Sequence, residues 1–355
     1  MKIGIITQPL TTNYGGILQN YALQTILRRL GHEVITFDLL KYTWVDWSFS
    51  FMKNCIKRVI GREPGLLITP TQKNKKEKPL RIFVHKNINL TTRARRLSKL
   101  QIENYQIDAL VVGSDQVWRP IYNYCIEDMF FKYAEGINVK KIAYAASFGT
   151  DHWEFSPTQT KTCAALAKKF QDISVREDSG IRLCKEYLGV RATHVLDPTL
   201  LLTSADYNAL CTHIPVRKPF VFAYILDVNE RKTSEIKRFA LSKGLPFIIK
   251  SAGTNIQEND SIELWLSYFR DAAFIITDSF HGTAFSINYN KDVFIYTNSH
   301  RGNSRFDSLL TLFNLNHRVV ANMSSFVTAI DWDAVNVILA NERLQSKIWL
   351  QRSLN

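Results

Sequence analysis

The sequence has few cysteines, no long apolar run and no signal-peptide pattern. Its five cysteines are widely spaced, and no two of them form a Cys-x-x-Cys pair. This spacing argues against a disulfide framework and against a thiolate metal site. No apolar run approaches the length that a membrane-spanning helix requires, and Met1 leads directly into a strand pattern. We therefore expect a soluble, cytoplasmic protein with reduced thiols and no bound metal.

Acidic residues are nearly absent from one segment. Between Lys53 and Lys99 there are fourteen Lys or Arg but only Glu63 and Glu77, a surplus of twelve positive charges out of the net +13 of the chain. Such a segment can bind nucleic acid, an anionic membrane surface or a phosphorylated substrate. It has no nucleic-acid motif and no interleaved stacking aromatics, so we do not expect a nucleic-acid partner. A solvated insertion is the alternative interpretation.

Buried strand patterns alternate with amphipathic helix patterns along the chain. This alternation predicts an α/β fold with parallel sheets covered by helices on both faces. We predict two Rossmann-like domains that face each other across a cleft, closed by a C-terminal helix at about 333–350. The predicted domains are residues 1–200, with the basic insertion at about 41–104, and residues 201–355.

Residues 271–296 form the most informative stretch, because they have the pattern of a βαβ unit. Their polar turn lies between a strand and a helix, where the ligand crevice of a parallel sheet and a helix N-terminus coincide. His281 is easily poised near neutral pH. We predict that it is a general acid/base at an exposed strand end, beside Asp278, Ser279 and Gly282. Ordinary helix capping is the alternative for these neighbours.

Other polar residues follow strands at the same edge. Asp115 comes after one predicted strand, Arg176 ends another, and Arg301 and Arg305 follow the strand at 293–296. Guanidinium groups suit a carboxylate or phosphate ligand. Alternatively, Arg176 pairs with a neighbouring carboxylate. The loop at 11–16 also joins a strand to a helix, but it lacks the G-x-G-x-x-G pattern of a dinucleotide site.

Six motifs together resemble the polysaccharide pyruvyl transferase family. They lie at residues 13–23, 112–118, 144–149, 174–177, 196–199 and 277–283. The resemblance implies a two-domain fold like that of GT-B glycosyltransferases. It also implies transfer of a pyruvyl group from phosphoenolpyruvate to two hydroxyls of a sugar, which forms a cyclic ketal and releases phosphate without a cofactor. The expected acceptor is a polyprenyl-pyrophosphate-linked oligosaccharide for a surface or capsular polysaccharide, at the inner face of the cytoplasmic membrane.

The resemblance also assigns roles to individual residues. In the family, Arg is often found at the position of Ser279, so Arg301 or Arg305 is expected to supply that charge here. The predicted catalytic residues are His281, Asp278 and Asp115; the donor contacts are Arg176, Ser279, Gly282, Arg301 and Arg305; the acceptor contacts are Asn13, Tyr14, Gly15, Gly16, Gln19, Ser114 and Trp118.

Two other functions fit the same outline. A nucleotide-sugar-dependent glycosyltransferase would have the same two-domain shell, although no acidic ribose-binding signature is evident near the second-domain site. A non-catalytic relative that binds glycans or membranes would have lost the donor site. The residue Ser279, at a position where the family often has Arg, favours this second alternative.

Overall fold

The computed structural model of the protein describes residues 1–40, 44–59, 63, 69–296, 304–322 and 328–355. Ten strands in these ranges form two sheets. The first sheet contains β1 (Lys2–Ile6), β2 (Glu33–Thr36), β3 (Ala109–Val112), β4 (Lys140–Ala146), β5 (Asp172–Val175) and β6 (Thr193–His194). The second contains β7 (Val221–Tyr224), β8 (Phe247–Lys250), β9 (Phe274–Thr277) and β10 (Asp292–Ile295).

Thirteen α-helices lie in the same described ranges. Those of the first half are α1 (Tyr14–Arg29), α2 (Trp44–Val59), α3 (Pro70–Asn87), α4 (Lys99–Asn104), α5 (Pro157–Ala167), α6 (Ser179–Leu183) and α7 (Pro198–Leu201). Those of the second half are α8 (Ser204–Leu210), α9 (Glu230–Ser242), α10 (Ile262–Asp271), α11 (Phe280–Asn288), α12 (Ser304–Leu312) and α13 (Trp332–Leu354).

The strand order is the same in both sheets. All strand pairs are parallel, and the orders are β2-β1-β3-β4-β5-β6 and β10-β9-β7-β8. In each sheet the first strand lies between the second and the third, so the order reverses between β1 and β3 and again between β7 and β9. Open α/β sheets bind ligands at such a switch point. The prediction of two Rossmann-like α/β domains is confirmed.

The local sequences explain these elements. All four residues of β3 are fully buried, as expected for a parallel strand that is covered by helices on both faces. Several helices begin at a capping box, in which a Ser or Thr side chain and the residue three positions later satisfy each other's backbone amides. These boxes stand at Thr69, Ser98, Ser156 and Thr203.

Helix α1 begins earlier than the sequence pattern indicates. Asn13 has extended backbone angles (φ −109°, ψ 107°) and precedes the helix as its N-cap. Tyr14, Gly15 and Gly16 therefore form the first helical turn, and the predicted ligand-binding loop at 11–16 is shorter than expected. The cause is that glycines at a helix N-terminus resemble loop glycines in the sequence alone.

The last helix returns to the first domain. Trp349 of α13 lies 6.0 Å from the ring of Tyr144 in β4, and the Lys140 ammonium donates to the carbonyl of Leu354 at 2.8 Å. Arg343 of α13 donates to the carbonyls of Leu200 and Leu202, on either side of the predicted domain boundary, and to Asn288 of α11. The closing C-terminal helix is present. The domain boundary at residue 200 stays a prediction, since α7 contacts both α1 and α11.

The basic insertion is partly built into the first domain. Leu80, Phe83 and Val84 of α3 are buried. Arg81 donates two hydrogen bonds to Asp38, at 2.9 and 2.6 Å, and both side chains are buried. A bidentate pair of this kind fixes α3 to the end of the β2 segment. The interpretation as a solvated insertion is therefore wrong for the C-terminal half of α3, whereas Thr71, Gln72, Asn74 and Lys75 in its N-terminal half are exposed.

The N-terminus of α1 is the main contact between the domains. Tyr14 is buried and stacks on Trp265 of α10, with ring centroids 5.3 Å apart and an interplanar angle of 12°. Gly15 lies directly against His281 of α11, because a Cβ atom built on Gly15 would be 2.1 Å from two ring atoms of His281. Only glycine allows the two helix N-termini to approach so closely.

We predict opposite effects for two neighbouring glycine substitutions. Gly15→Ala forces a methyl group into the His281 ring and is expected to destabilise the protein by about 1–3 kcal/mol. Gly16→Ala meets Asn13, an exposed side chain 3.1 Å away, and removes a helical glycine, so it is expected to be neutral or to stabilise by about 0.5–1 kcal/mol. Chemical denaturation of both variants measures the difference. Equal effects would contradict the proposed contact.

Candidate active site

The switch point of the first sheet opens on a cleft of about 290 Å³, and the second domain forms the opposite wall. Its walls come from the loops that follow β1 and β3 in the first domain and β7 and β8 in the second. The lining residues are Gln8, Pro9, Thr11, Thr12, Asn13, Asp115, Gln116, Tyr122, Leu226, Ala252 and Gly253. The N-termini of α1 and α11 meet beside this cleft, and neither helix has an acidic residue in its first turn. Helix ends of this kind favour anionic ligands.

A buried group of charged residues lies at the joint between these two helix N-termini. Arg176 is at the centre of the group. The Arg176 guanidinium donates to Asp197 at 2.8 Å and to Asp115 at 3.4 Å. It also lies 4.4 Å from the ring centroid of Phe280, the first residue of α11. Arg176 was predicted to contact the donor or to pair with an adjacent carboxylate. Its partners are instead carboxylates that are distant in the sequence.

Asp197 was not assigned a role from the sequence, yet it accepts the largest number of bonds in the group. It caps α7, where Oδ1 accepts from the backbone amide and the hydroxyl of Thr199 at 2.9 and 2.7 Å. Its Oδ2 accepts from Ser114 Oγ at 2.9 Å as well as from Arg176. Burial raises the pKa of Asp197, but the nearby Arg176 and His281 outweigh burial and lower it overall. Asp197 is therefore ionised.

His281 lies in the first turn of α11, with its Nε2 atom 3.9 Å from Asp197 Oδ2. Only 6% of the residue is exposed, so the prediction of an exposed position is wrong; the close packing of Gly15 covers the ring. Burial lowers the pKa of His281, while Asp197 and Asp115 act in the opposite direction. The imidazole is thus neutral at pH 7. Within the described part of the chain, Nε2 makes no hydrogen bond.

Arg305 brings a second buried guanidinium to the joint from the first turn of α12. Burial and the charge of Arg176 lower the pKa of Arg305 to about 10, against opposing contributions from Asp115, Glu177 and Tyr122. Asp115 and Tyr122 both line the cleft, so Arg305 lies close to it. Arg301, which was predicted to play a similar part, lies outside the described residues.

Asp115 connects the buried group to the cleft. Its backbone is left-handed, with φ 68°, and its Oδ1 accepts from the amide of Gln116 at 2.9 Å. Asn13 Nδ2 is 3.5 Å from its other oxygen. Burial raises the pKa of Asp115, yet Arg176, His281 and Arg305 lower it overall. Asp115 is therefore a carboxylate that is ionised and lines the cavity.

Asp278 does not face His281. Its carboxylate accepts from the backbone amides of Leu226 and Asp227 at 2.6 and 3.2 Å, and from Lys232 at 2.7 Å. These bonds tie the end of β9 to the loop after β7, so Asp278, which was predicted to be catalytic, is not placed to act with His281. Asp197 is the carboxylate beside the imidazole, 3.9 Å from Nε2. Ser279 caps α11 and accepts from the Gly282 amide at 3.4 Å, in agreement with the capping alternative.

Most of the predicted acceptor contacts are buried. Trp118 is enclosed in the core of the first domain and stacks on Phe130 with centroids 4.8 Å apart. Gln19 donates to Thr7 Oγ1 and accepts from the Ser114 amide, which ties α1 to the ends of β1 and β3. Tyr14 packs in the second domain. Among the predicted acceptor residues, Asn13 alone is exposed, so the assignment of Tyr14, Gly15, Gly16, Gln19, Ser114 and Trp118 as direct contacts is corrected.

The arrangement offers acid/base groups and cations. A neutral imidazole faces an ionised carboxylate, and two guanidinium groups lie beside them. Within the described ranges, no group of three or more His, Cys, Asp or Glu side chains is placed to hold a metal ion. The site is therefore suited to proton transfer on an anionic substrate that enters from the cleft.

Solved structures of similar overall outline include two epimerases and a glycosyltransferase. UDP-GlcNAc 2-epimerase from Neisseria meningitidis is 9% identical with a TM-score of 0.48, covering 99% of this chain and 93% of that one. The same enzyme from Methanocaldococcus jannaschii is 10% identical with a TM-score of 0.46, covering 96% and 92%. A glycosyltransferase from Rickettsia africae is 12% identical with a TM-score of 0.40, covering 98% and 93%. The comparison with curated proteins gave no match.

The family comparison is more specific. The model of the family described as polysaccharide pyruvyl transferase matches residues 13–300. This range begins at the N-cap of α1, and it includes Asp115, Arg176, Asp197 and His281. Because the match covers most of the chain and all four of these site residues, the chain belongs to the polysaccharide pyruvyl transferase family.

Proposed function

We propose that the protein transfers a pyruvyl group from phosphoenolpyruvate to two hydroxyls of a sugar, forming a cyclic ketal and releasing phosphate. The observation that carries this proposal is the neutral His281, 3.9 Å from the ionised Asp197 and beside the Arg176 and Arg305 guanidinium groups. Phosphoenolpyruvate carries both a carboxylate and a phosphate, which are the ligands that guanidinium groups and helix N-termini favour.

The reaction needs no external proton source. One sugar hydroxyl adds its oxygen to C2 of the enol, and its proton is delivered to the methylene carbon, which becomes the methyl group. The bond between C2 and the phosphate oxygen then breaks. The second hydroxyl oxygen takes its place on C2, and its proton leaves on the phosphate. A neutral imidazole can accept the first hydroxyl proton and pass it on, which is the role we propose for His281, with Asp197 stabilising the imidazolium.

The two arginines have different proposed roles. Arg176 is bound by Asp197 and Asp115 and fully buried, so we propose that it holds both carboxylates in place. Arg305 interacts electrostatically with the cleft residues Asp115 and Tyr122, and burial together with Arg176 disfavours its charge. An anionic ligand would relieve that penalty. We therefore propose that Arg305 contacts the donor and supplies the charge that the family often has at the position of Ser279.

The acceptor would lie in a groove on the first domain. A second cavity of about 160 Å³ shares Gln8, Pro9 and Tyr122 with the cleft. Its far wall includes Arg95, Arg96 and Tyr124, and 89% of Tyr124 is exposed beneath the guanidinium of Arg96. An exposed aromatic ring can stack on a sugar, and the arginines suit a phosphate. We propose that a lipid-linked oligosaccharide extends along this groove.

A direct test distinguishes this reaction from nucleotide-sugar transfer. The protein is incubated with phosphoenolpyruvate and polyprenyl-pyrophosphate-linked oligosaccharides, and phosphate release is measured together with product mass. We expect both phosphate and a product heavier by one pyruvate less one water. Protection from thermal unfolding by a nucleotide-sugar but not by phosphoenolpyruvate would favour a glycosyltransferase. Binding of phosphoenolpyruvate without phosphate release, over a range of acceptors, would favour a non-catalytic relative.

His281→Gln should remove the proton relay while it preserves the packing against Gly15. We expect kcat to fall by about 10²- to 10⁴-fold, as is typical for loss of a general acid/base, with little change in phosphoenolpyruvate affinity. His152→Gln is the control, because the His152 side chain is 70% exposed and contacts Asp151 outside the buried group. A near-normal rate for His281→Gln, measured by phosphate release, would exclude His281 from the mechanism.

The pH dependence should follow the lowered pKa of His281. Because the reaction requires the neutral imidazole and burial lowers its pKa below the ordinary 6.5, kcat/KM should stay constant from pH 8 to 6.5 and fall only at lower pH. Asp115 raises the pKa of His281, so Asp115→Asn should move this acid limb to still lower pH. An acid limb centred above pH 6.5 would contradict the assignment.

Substitution of Arg305 should weaken donor binding, whereas substitution of Arg176 should lower the stability of the fold. Arg305→Lys keeps a charge but loses the planar fork, so we expect phosphoenolpyruvate to bind about tenfold more weakly, a difference of roughly 1.4 kcal/mol. Arg176→Met leaves two buried carboxylates unpaired and should destabilise the fold by about 3–5 kcal/mol. Calorimetric titration and chemical denaturation measure these effects, with the exposed Arg182→Lys as control. Wild-type donor affinity in Arg305→Lys would disprove the contact.

A further inference from the structure

Helix α2 exposes apolar side chains to solvent. Phe51, Met52 and Ile56 are 46%, 54% and 60% exposed, and Cys55 is exposed beside them. Trp47 stacks on Phe51 with ring centroids 5.3 Å apart. A surface helix of a globular protein normally turns its apolar side chains toward the core. The described part of α2 has the reverse arrangement.

The exposed apolar residues share one face of the helix. At about 100° per residue, positions 51, 55, 52 and 56 fall within an arc of roughly 140°. Asn54 lies well away from the centre of this arc and is buried. Among the described side chains of α2, a polar one is thus buried and an apolar strip is left uncovered by the described residues.

Basic residues border this strip. Lys53 and Arg58 are exposed on its two sides, and Lys57 is exposed on the opposite side of the helix. The helix has one acidic residue, Asp46, near its start and none from Trp47 to Val59. An amphipathic helix with an apolar face and Lys or Arg beside it is typical of proteins that lie in the interface of an anionic bilayer. Among the described helices, none combines the length and apolar composition that a membrane span requires.

We propose that α2 is a membrane-surface helix that inserts Phe51, Met52 and Ile56 into an anionic bilayer. Charge complementarity decides between a bilayer and a second copy of the chain as the occupant of this face. A second copy would place two sets of Lys53 and Arg58 near each other, whereas anionic headgroups neutralise them. This proposal does not depend on the reaction that the site performs.

Helix α2 lies close in sequence to the proposed acceptor groove. Leu40 lines the proposed acceptor groove, and Trp44, the first residue of α2, is only four residues later. A chain of that length reaches at most about 14 Å. A protein held at the bilayer by α2 therefore presents the groove close to the headgroups.

Vesicle co-sedimentation of the full chain tests the proposal. We expect binding to phosphatidylglycerol vesicles, weak binding to phosphatidylcholine vesicles, and loss of affinity as salt rises. The triple variant Phe51→Ser, Met52→Ser, Ile56→Ser should lose at least about tenfold in partition coefficient. Replacing Lys53, Lys57 and Arg58 with Gln should lose about fivefold per residue.

A matched control separates this face from general surface hydrophobicity. The triple variant Val216→Ser, Leu241→Ser, Val337→Ser removes three apolar side chains that are exposed elsewhere, at 77%, 77% and 61%, and it should bind vesicles like the wild type. Unchanged binding by the α2 serine variant, or no binding by the wild type, would overturn the proposal. Dimers of the wild type that the serine variant lacks would also overturn it, because a second copy would then cover the face.

Discussion

The contact between Gly15 and His281 is the constraint on which the rest of the site depends. It brings the N-termini of α1 and α11 together beside the cleft, where the loops after β1 and β3 face the loops after β7 and β8. Tyr14 secures the approach, because it is inserted between Trp265 and Tyr224 of the second domain. The residue that fixes the domain geometry and the residue proposed to move a proton are therefore adjacent. Any change in domain orientation would displace His281.

The electrostatics of the joint follow from this burial. A carboxylate that is buried without a partner would be protonated, and a buried imidazole resists protonation. Arg176 is the partner that keeps Asp115 and Asp197 ionised. The same two carboxylates oppose the effect of burial on His281. A proton relay requires a neutral base beside a stable negative charge. Here the base is His281, and Arg176 keeps the carboxylates of Asp115 and Asp197 ionised beside it.

The sequence predicted the sheets and the edge on which the site lies, because strands and their following loops are local patterns. It did not predict the pairings across that edge. Asp278 accepts a hydrogen bond from Lys232, which is 46 residues away in the sequence. Asp197 accepts one from Arg176, which is 21 residues away. No local sequence pattern indicates such partners. Asp197 had one usable sign, since an Asp before Pro at a strand end is a typical helix N-cap. Residues 196–199, which include Asp197, also form one of the motifs that carry the family resemblance.

The basic insertion shows why a charge count alone does not define a surface. Arg81 and Arg93 belong to the surplus in the sequence, but both pair with acidic side chains, Asp38 for the first and Glu77 for the second. They fasten α3 and the following segment to the first domain. Lys53 and Arg58 on α2 remain exposed beside an apolar strip. Basic residues thus stabilise the packing of α3, whereas on our proposal those of α2 bind a bilayer. What separates the two is whether the apolar face of the helix is turned inward or outward.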